Sequence, residues 1–205
     1  MTIEVENLGK RFNREWIFRN LTSTFEAGNT YAITGPNGSG KSTLLQVLWG
    51  QMPTSSGKIS FHSENEAIAI EDVFQHVSIA TPYMELIEEY TLNEMLHFHF
   101  QFKKVRHSKS IIEVMELMEL THARDKAIAN FSSGMRQRVK LGLAFYSETQ
   151  MLFLDEPTTN LDKKSTEWYL KHLYQLPEDN LIFIASNQEH EYPVSAKKID
   201  ILDFK

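Results

Sequence analysis

Gly35-Pro36-Asn37-Gly38-Ser39-Gly40-Lys41-Ser42-Thr43 follows the short apolar run Tyr31-Ala32-Ile33-Thr34 and precedes leucines at helical spacing through Leu48. Strand, glycine-rich loop and helix in that order predict an α/β chain built on a parallel sheet. The loop fits G-x-x-x-x-G-K-[ST] in the context that gives this pattern meaning. Glycines let successive backbone N–H groups turn inward around a phosphate, and the helix N-terminus adds its dipole. Lys41 is then placed to reach β- and γ-phosphates, and Ser42 to ligate Mg²⁺. The competing reading, a glycine turn that only caps a helix, leaves the Lys41-Ser42 pair without a purpose.

Working outward, Ile3-Glu4-Val5 and Leu21-Thr22-Ser23-Thr24-Phe25 alternate apolar and polar residues, which predicts half-buried strands in an N-terminal antiparallel lobe. Lys58 to Phe61, Val77 to Ala80, Met151 to Leu154, Leu181 to Ala185 and Ile199 to Leu202 read as further strands. Thr91-Leu92-Asn93-Glu94 has the form of a capping box and opens a helix carrying Leu92, Met95, His99 and Phe102. Ser110 to Leu120 and Ser165 to Leu176 are helical by spacing. The expectation is one domain over residues 1–205, with a helical insertion at about 83–135.

Composition narrows the function classes. The 205 residues include 21 Lys and Arg against 27 Asp and Glu, a net charge of −6, and no cysteine. Disulfide scaffolds, thiolate metal sites and cysteine nucleophiles are excluded. The acidic balance weighs against nucleic-acid binding, which depends on Lys and Arg neutralising phosphates. Met1 to Arg11 lacks the apolar core of a secretion signal, so the cytoplasm is expected. No apolar run approaches the roughly 20 residues of a spanning helix, so any link to a membrane is expected to run through a partner.

Two further segments carry chemistry. Met151-Leu152-Phe153-Leu154-Asp155-Glu156-Pro157 reads as a buried strand ending in adjacent carboxylates. At the C-terminal edge of a parallel sheet, Asp155 can hold Mg²⁺ and Glu156 can polarise a water, although Asp-Glu pairs are also common on solvated strand ends. Phe131-Ser132-Ser133-Gly134-Met135-Arg136-Gln137-Arg138 precedes an apolar helix. Ser132 there is an ordinary N-cap or, with Gly134, part of an anion site.

In this order and spacing the three segments resemble the ATP-binding cassette (ABC) ATPases over almost the whole chain. Phe131 to Met135 is similar to the signature Leu-Ser-Gly-Gly-Gln, with Phe for Leu, Ser133 for the first Gly and Met135 for Gln. Thr159-Asn160-Leu161-Asp162 resembles the D-loop. The resemblance implies a P-loop NTPase sheet and an ATPase using ATP and Mg²⁺. It implies a nucleotide-binding subunit at the inner face of the cell membrane, which powers an integral membrane transporter subunit on another chain. The implied working unit is an ATP-dependent homodimer or heterodimer, head to tail, in which Ser132 and Gly134 of one subunit act on ATP in the phosphate loop of the other. Phe12 lies where the family places an aromatic that stacks on adenine, with Trp16 as the neighbouring candidate.

The pattern breaks twice. Thr81-Pro82-Tyr83 follows the strand where the family has a glutamine loop, and Gln75 precedes that strand. Ser186-Asn187-Gln188 stands where the family has its switch histidine, with His190 three residues on. Asn187 can donate a hydrogen bond to a γ-phosphate but cannot act as acid or base, so Glu156 is expected to carry most of the water activation. His97 and His99 do not share a helix face, which argues against a metal site. Phe98, Phe100 and Met84 are either core or a partner surface of the insertion. Three rivals stand beside the transporter reading. They are a soluble ABC-class machine, a small P-loop kinase, and a cassette that binds ATP but rarely cleaves it.

Overall fold

The computed structural model describes residues 1–64 and 66–205. They form two compact units: Met1–Val77, Thr149–Glu156 and Pro177–Lys205, and Ser78–Glu148 with Pro157–Leu176.

The first unit opens with β1 (Thr2–Phe12) and β2 (Glu15–Glu26), long antiparallel strands whose alternating residues Ile3, Val5, Leu21 and Phe25 are buried. They are followed by β3 (Thr30–Thr34), α1 (Lys41–Leu48), β4 (Ser56–Ser63), β5 (Glu66–Ile68) and the single turn α2 (Val73–His76). An antiparallel sheet has the order β2-β1-β4-β5. The other sheet has the order β6-β7-β8-β3-β9, with β6 (Val77–Ala80), β7 (Met151–Asp155), β8 (Leu181–Ala185) and β9 (Lys197–Asp200). The β7–β8, β8–β3 and β3–β9 pairs are parallel. Every residue of β7 and β8 is buried, as a strand covered on both faces requires. Phe153 and Phe183 stack at 4.8 Å between ring centroids, and Tyr31 stacks on Phe183 at 5.3 Å. Aromatic area of this kind supplies much of a core's transfer free energy and stiffens the sheet beneath the loop.

The second unit is mainly helical. Thr91 caps α3 (Leu92–His99) and Ser110 caps α4 (Ile111–Leu117), each in a complete capping box with Glu94 or Glu113. α5 (Ser133–Tyr146) and α6 (Lys163–Leu173) complete it. Leu96, Val114, Met118, Val139 and Leu143 meet in one apolar cluster. Phe100 and Met84 pack against that cluster, while Phe98 and Phe102 are exposed and meet edge to face at 5.3 Å. Buried Arg106 donates to the carbonyls of Phe145 (3.0 Å) and Ser147 (2.9 Å), which ties off the end of α5.

The expected α/β class holds, and one expected element differs. The final strand ends at Asp200, and Ile201–Phe204 is a 3-10 turn. The Asp200 side chain accepts from the Leu202 N–H at 2.9 Å, which curls the chain and turns Ile201 inward. No helix of the described residues is long and apolar enough to cross a membrane.

One buried and one half-buried imidazole, those of His172 and His99, make this unit acid-sensitive. His99 Nε2 donates to Ser147 Oγ at 2.9 Å, since that hydroxyl itself donates to Leu143 O. His172 Nδ1 meets Tyr146 Oη at 2.9 Å. Burial, with Lys103 or Lys171 nearby, pushes each imidazole down to about 4. The unfolded chain takes up these protons near 6.5, so the stability held above that value is lost as pH falls towards 4. Imidazole NMR signals of both residues are therefore expected to titrate below pH 5, and the melting temperature to fall between pH 6.5 and 4. Midpoints near 6.5 for both rings would refute this account.

Candidate functional site

The end of β3 delivers the chain into the loop Gly35 to Gly40, and α1 begins at Lys41. Gly40 is left-handed at φ +107, and a Cβ there would overlap Ile17 Cγ2, so only glycine fits. Ile201 lies against Gly35, and Lys205 Nζ donates to Ser39 O at 2.7 Å and Ile17 O at 2.8 Å. The loop is thus held from outside by apolar contacts and one cation. Inside it, Lys41 is 5% exposed and donates to Gly35 O (2.8 Å) and Pro36 O (3.3 Å). Ser39 Oγ is buried with no hydrogen-bond partner. Asn187 lies against the same loop, accepting from Gly35 N–H at 3.2 Å and donating to Asn37 Oδ1 at 3.1 Å.

β7 ends at Asp155, which is 2% exposed. Burial pushes its carboxyl up, a hydrogen bond from Ser42 opposes this, the charge of Glu156 adds to the rise, and Lys41 pulls it down. Oδ1 of Asp155 is buried and has no hydrogen-bond partner. An orphaned carboxylate oxygen beside a serine hydroxyl is the donor set a hard cation such as Mg²⁺ takes. Among the described residues no three His, Cys, Asp or Glu gather into a metal site, so such an ion would take its further oxygens from water or a bound phosphate. Glu156 follows in the left-handed conformation, φ +44, with its N–H donated to Ala185 O at 2.9 Å. That backbone is uncommon for a residue with a Cβ, and strain of this kind gathers at functional positions.

The second unit presents the other candidate segment. Ser132 caps α5, its Oγ accepting from Met135 N–H at 3.2 Å. Gly134 admits Asn160 O, which a Cβ would meet at 3.1 Å. Gln137 Nε2 donates to Pro157 O at 2.8 Å, and Arg138 bonds Glu119 (2.9 Å) and Ser165 while lying 5.2 Å from the Trp168 ring. These bonds fix the start of α5 against residues 157–165. A cavity of about 540 Å³ is lined there by Ser132, Ser133, Gly134, Asn160 and Lys164.

Within the first unit, the structure brings together residues 35–43, Asp155 and Asn187. Phe12 is 45% exposed, with Lys10 Nζ 5.3 Å from its ring, while Trp16 is partly buried against Gly9. Gln75 lies on α2, bonded to Asp72 at 3.1 Å, and His190 is on an exposed turn. Thr81 is buried, and its carbonyl and that of Pro82 accept from Lys140 Nζ of α5 at 3.3 and 2.9 Å. Three contributors escape sequence reasoning: Lys140, Lys205, and Glu191, which is wholly buried and whose charge also raises Asp155. Each reaches its place through tertiary folding and lies outside any short motif.

A family profile described as ABC transporter matches residues 18–159. The chain is 28% identical to the linearmycin resistance ATP-binding protein LnrL of Bacillus subtilis (strain 168), over 98% of this chain and 66% of that protein. It is 32% identical to the sulfate/thiosulfate import ATP-binding protein CysA of Bradyrhizobium diazoefficiens, over 99% of this chain and 61% of that one. The chain thus spans about three fifths to two thirds of the length of these curated relatives. A solved structure described as the ATP binding subunit of an ABC transporter superposes with a TM-score of 0.84 at 21% identity, covering 98% of this chain and 86% of that one. A bacterial Atm1-family ABC exporter with ATP bound gives 0.81 at 18% identity, covering 98% and 37%. Both structural likenesses speak to the fold. The profile match takes in the phosphate loop, the Ser132 to Arg138 segment and the Asp155-Glu156 strand end, and the chain belongs to the ABC transporter family.

Proposed function

We propose that this chain is an ATP-binding and ATP-hydrolysing subunit that powers transport through a separate membrane partner. The observation that supports the reading best is the Ser42–Asp155 pair with its orphaned oxygen, set under a loop whose lysine is inside it. On this reading the amides of residues 35–43 hold the phosphates of ATP. Lys41 leaves the two carbonyls it now serves and moves onto the β- and γ-phosphates. Ser42 and Asp155 hold Mg²⁺, which when bound neutralises charge on the phosphate oxygens. Glu156 takes a proton from the water whose oxygen bonds to the γ-phosphorus as the bond to ADP breaks. Phe12, exposed at the end of β1, stacks on the adenine.

The working unit is a head-to-tail dimer, and Ser132 and Gly134 cover the γ-phosphate bound by the partner. ATP joins the two copies and hydrolysis releases them, which gives the membrane partner a two-state drive. The protein then sits at the inner face of the membrane through that partner. The names of the two relatives point to different cargo, so the transported substrate is left to the membrane partner. Thr81-Pro82-Tyr83, where the family has its glutamine loop, and Asn187, in the segment where it has its switch histidine, favour a second reading with slow turnover, an ATP-gated switch.

Glu156→Gln is expected to bind ATP and accumulate as a dimer, with phosphate release down by about 10²- to 10⁴-fold. Phosphate assays and gel filtration with and without ATP check this, and equal release from both proteins would sink the assignment of Glu156. Slow release from the wild type, with firm ATP-dependent dimerisation, selects the switch reading, whereas transfer to an acceptor molecule selects a kinase. Gly40→Ala is expected to abolish nucleotide binding measured by calorimetry, because its Cβ overlaps Ile17 and the residue must hold a left-handed backbone. Unchanged affinity would show that the loop does not bind nucleotide in this form.

A further inference from the structure

Asn187 follows β8 by two residues, as Gly35 follows the partner position on β3. The register pairs Ile33 with Ala185, and Ser186 N–H donates to Ile33 O at 3.1 Å, so residues 35 and 187 emerge side by side. Ser186 is buried, and its Oγ accepts from Gln188 N–H at 2.8 Å, which turns the chain and aims residue 187 at the loop. The carboxamide of Asn187 then uses both of its functions on that loop. Oδ1 accepts from Gly35 N–H at 3.2 Å, and Nδ2 donates to Asn37 Oδ1 at 3.1 Å. Gly35 is consequently held on both sides of its residue, through its N–H by Asn187 and through its carbonyl by Lys41 at 2.8 Å.

Donor and acceptor of the Asn187 side chain are thus both directed at the loop backbone and the Asn37 side chain. We propose that Asn187 is a positioning residue that braces the phosphate loop, so that its amides meet any nucleotide carrying α- and β-phosphates, ADP as well as ATP. The inference rests on the reading of residues 35–43 as a nucleotide site. A brace lowers the ordering cost of binding, and that gain does not depend on the third phosphate. Asparagine suits the task because it combines donor and acceptor in one group and does not titrate. The loop conformation is thereby independent of pH in a way that an imidazole at this position would not allow.

The test compares Mg-ADP and Mg-ATP affinity of the full chain and of Asn187→Ala by calorimetry. Loss of one net hydrogen bond predicts weakening of about fivefold, equal for the two nucleotides within about twofold. A second measurement needs no nucleotide: the Gly35 amide, followed by hydrogen exchange, is expected to exchange about tenfold faster in Asn187→Ala while the amides of β3 keep their protection. That protection also shows the variant to be folded, as the exposure of residue 187 leads one to expect. Loss for ATP alone would make Asn187 a γ-phosphate reader and overturn the brace. Unchanged affinities with unchanged Gly35 exchange would overturn it too. A wild-type chain that binds neither nucleotide removes the nucleotide reading and this inference together, an outcome distinct from unequal loss.

Discussion

Parallel pairing of β3, β7 and β8 brings Ile33, Ala185 and Asp155 to one level, since Ala185 pairs with both of the others. Everything chemical in the first unit follows from that level. Gly35 lies two residues beyond it, Asn187 two, and Glu156 one. A slip of one residue in any of these pairings would turn a buried side chain outward, and the stacked rings of Phe153, Phe183 and Tyr31 hold the register against such a slip. The apolar interior of the sheet therefore acts on function through position. Asp155 meets Ser42 because two buried strands and the helix after the loop leave no other arrangement.

Legibility in the sequence followed the range of the interactions. The loop, α1, the buried strands and the Thr91 capping box could be read because glycines, leucine spacing and a Thr-x-x-Glu pattern act over a few residues. The inward turn of Ile201 is not legible because Ile199 to Leu202 has the apolar–polar pattern of a strand, whereas the Asp200 carboxylate caps a turn there. Lys140 and Lys205 were invisible for another reason. Each is a lysine at an unremarkable position, and its partners, the carbonyls of Thr81 and Pro82 or of Ser39 and Ile17, are backbone groups brought close only by the fold. Glu191 sits in a polar run that reads as a loop, yet it is wholly buried, with its charge felt at Asp155.

The two departures from the family pattern have different structural outcomes. At Thr81-Pro82 no glutamine is available, and the main chain itself is engaged, with Lys140 Nζ holding both carbonyls to α5. Burial pushes the ammonium of Lys140 down, opposed by Glu85, so it sits among carbonyl dipoles at some cost in solvation. At Asn187 a side chain is present and turned onto the loop. At one position a cation acts on backbone, and at the other an amide does.

The polar groups inside the phosphate site are satisfied unequally, and the inequality has a direction. Lys41 has two carbonyl acceptors, but these are neutral, so its hydrogen bonds bring the ammonium no counter-charge. Asp155 keeps one oxygen without a partner, and Ser39 Oγ has none, although buried polar atoms in native proteins are nearly always paired. Each of these groups costs stability relative to an apolar one of the same shape. On the proposed function each would gain from an anion with its cation, and the stability given up here would return on binding. Asn187 is the exception, with donor and acceptor both bonded to the loop, and on the proposed function its contribution belongs to the shape of the loop and that of Lys41 and Asp155 to its charge.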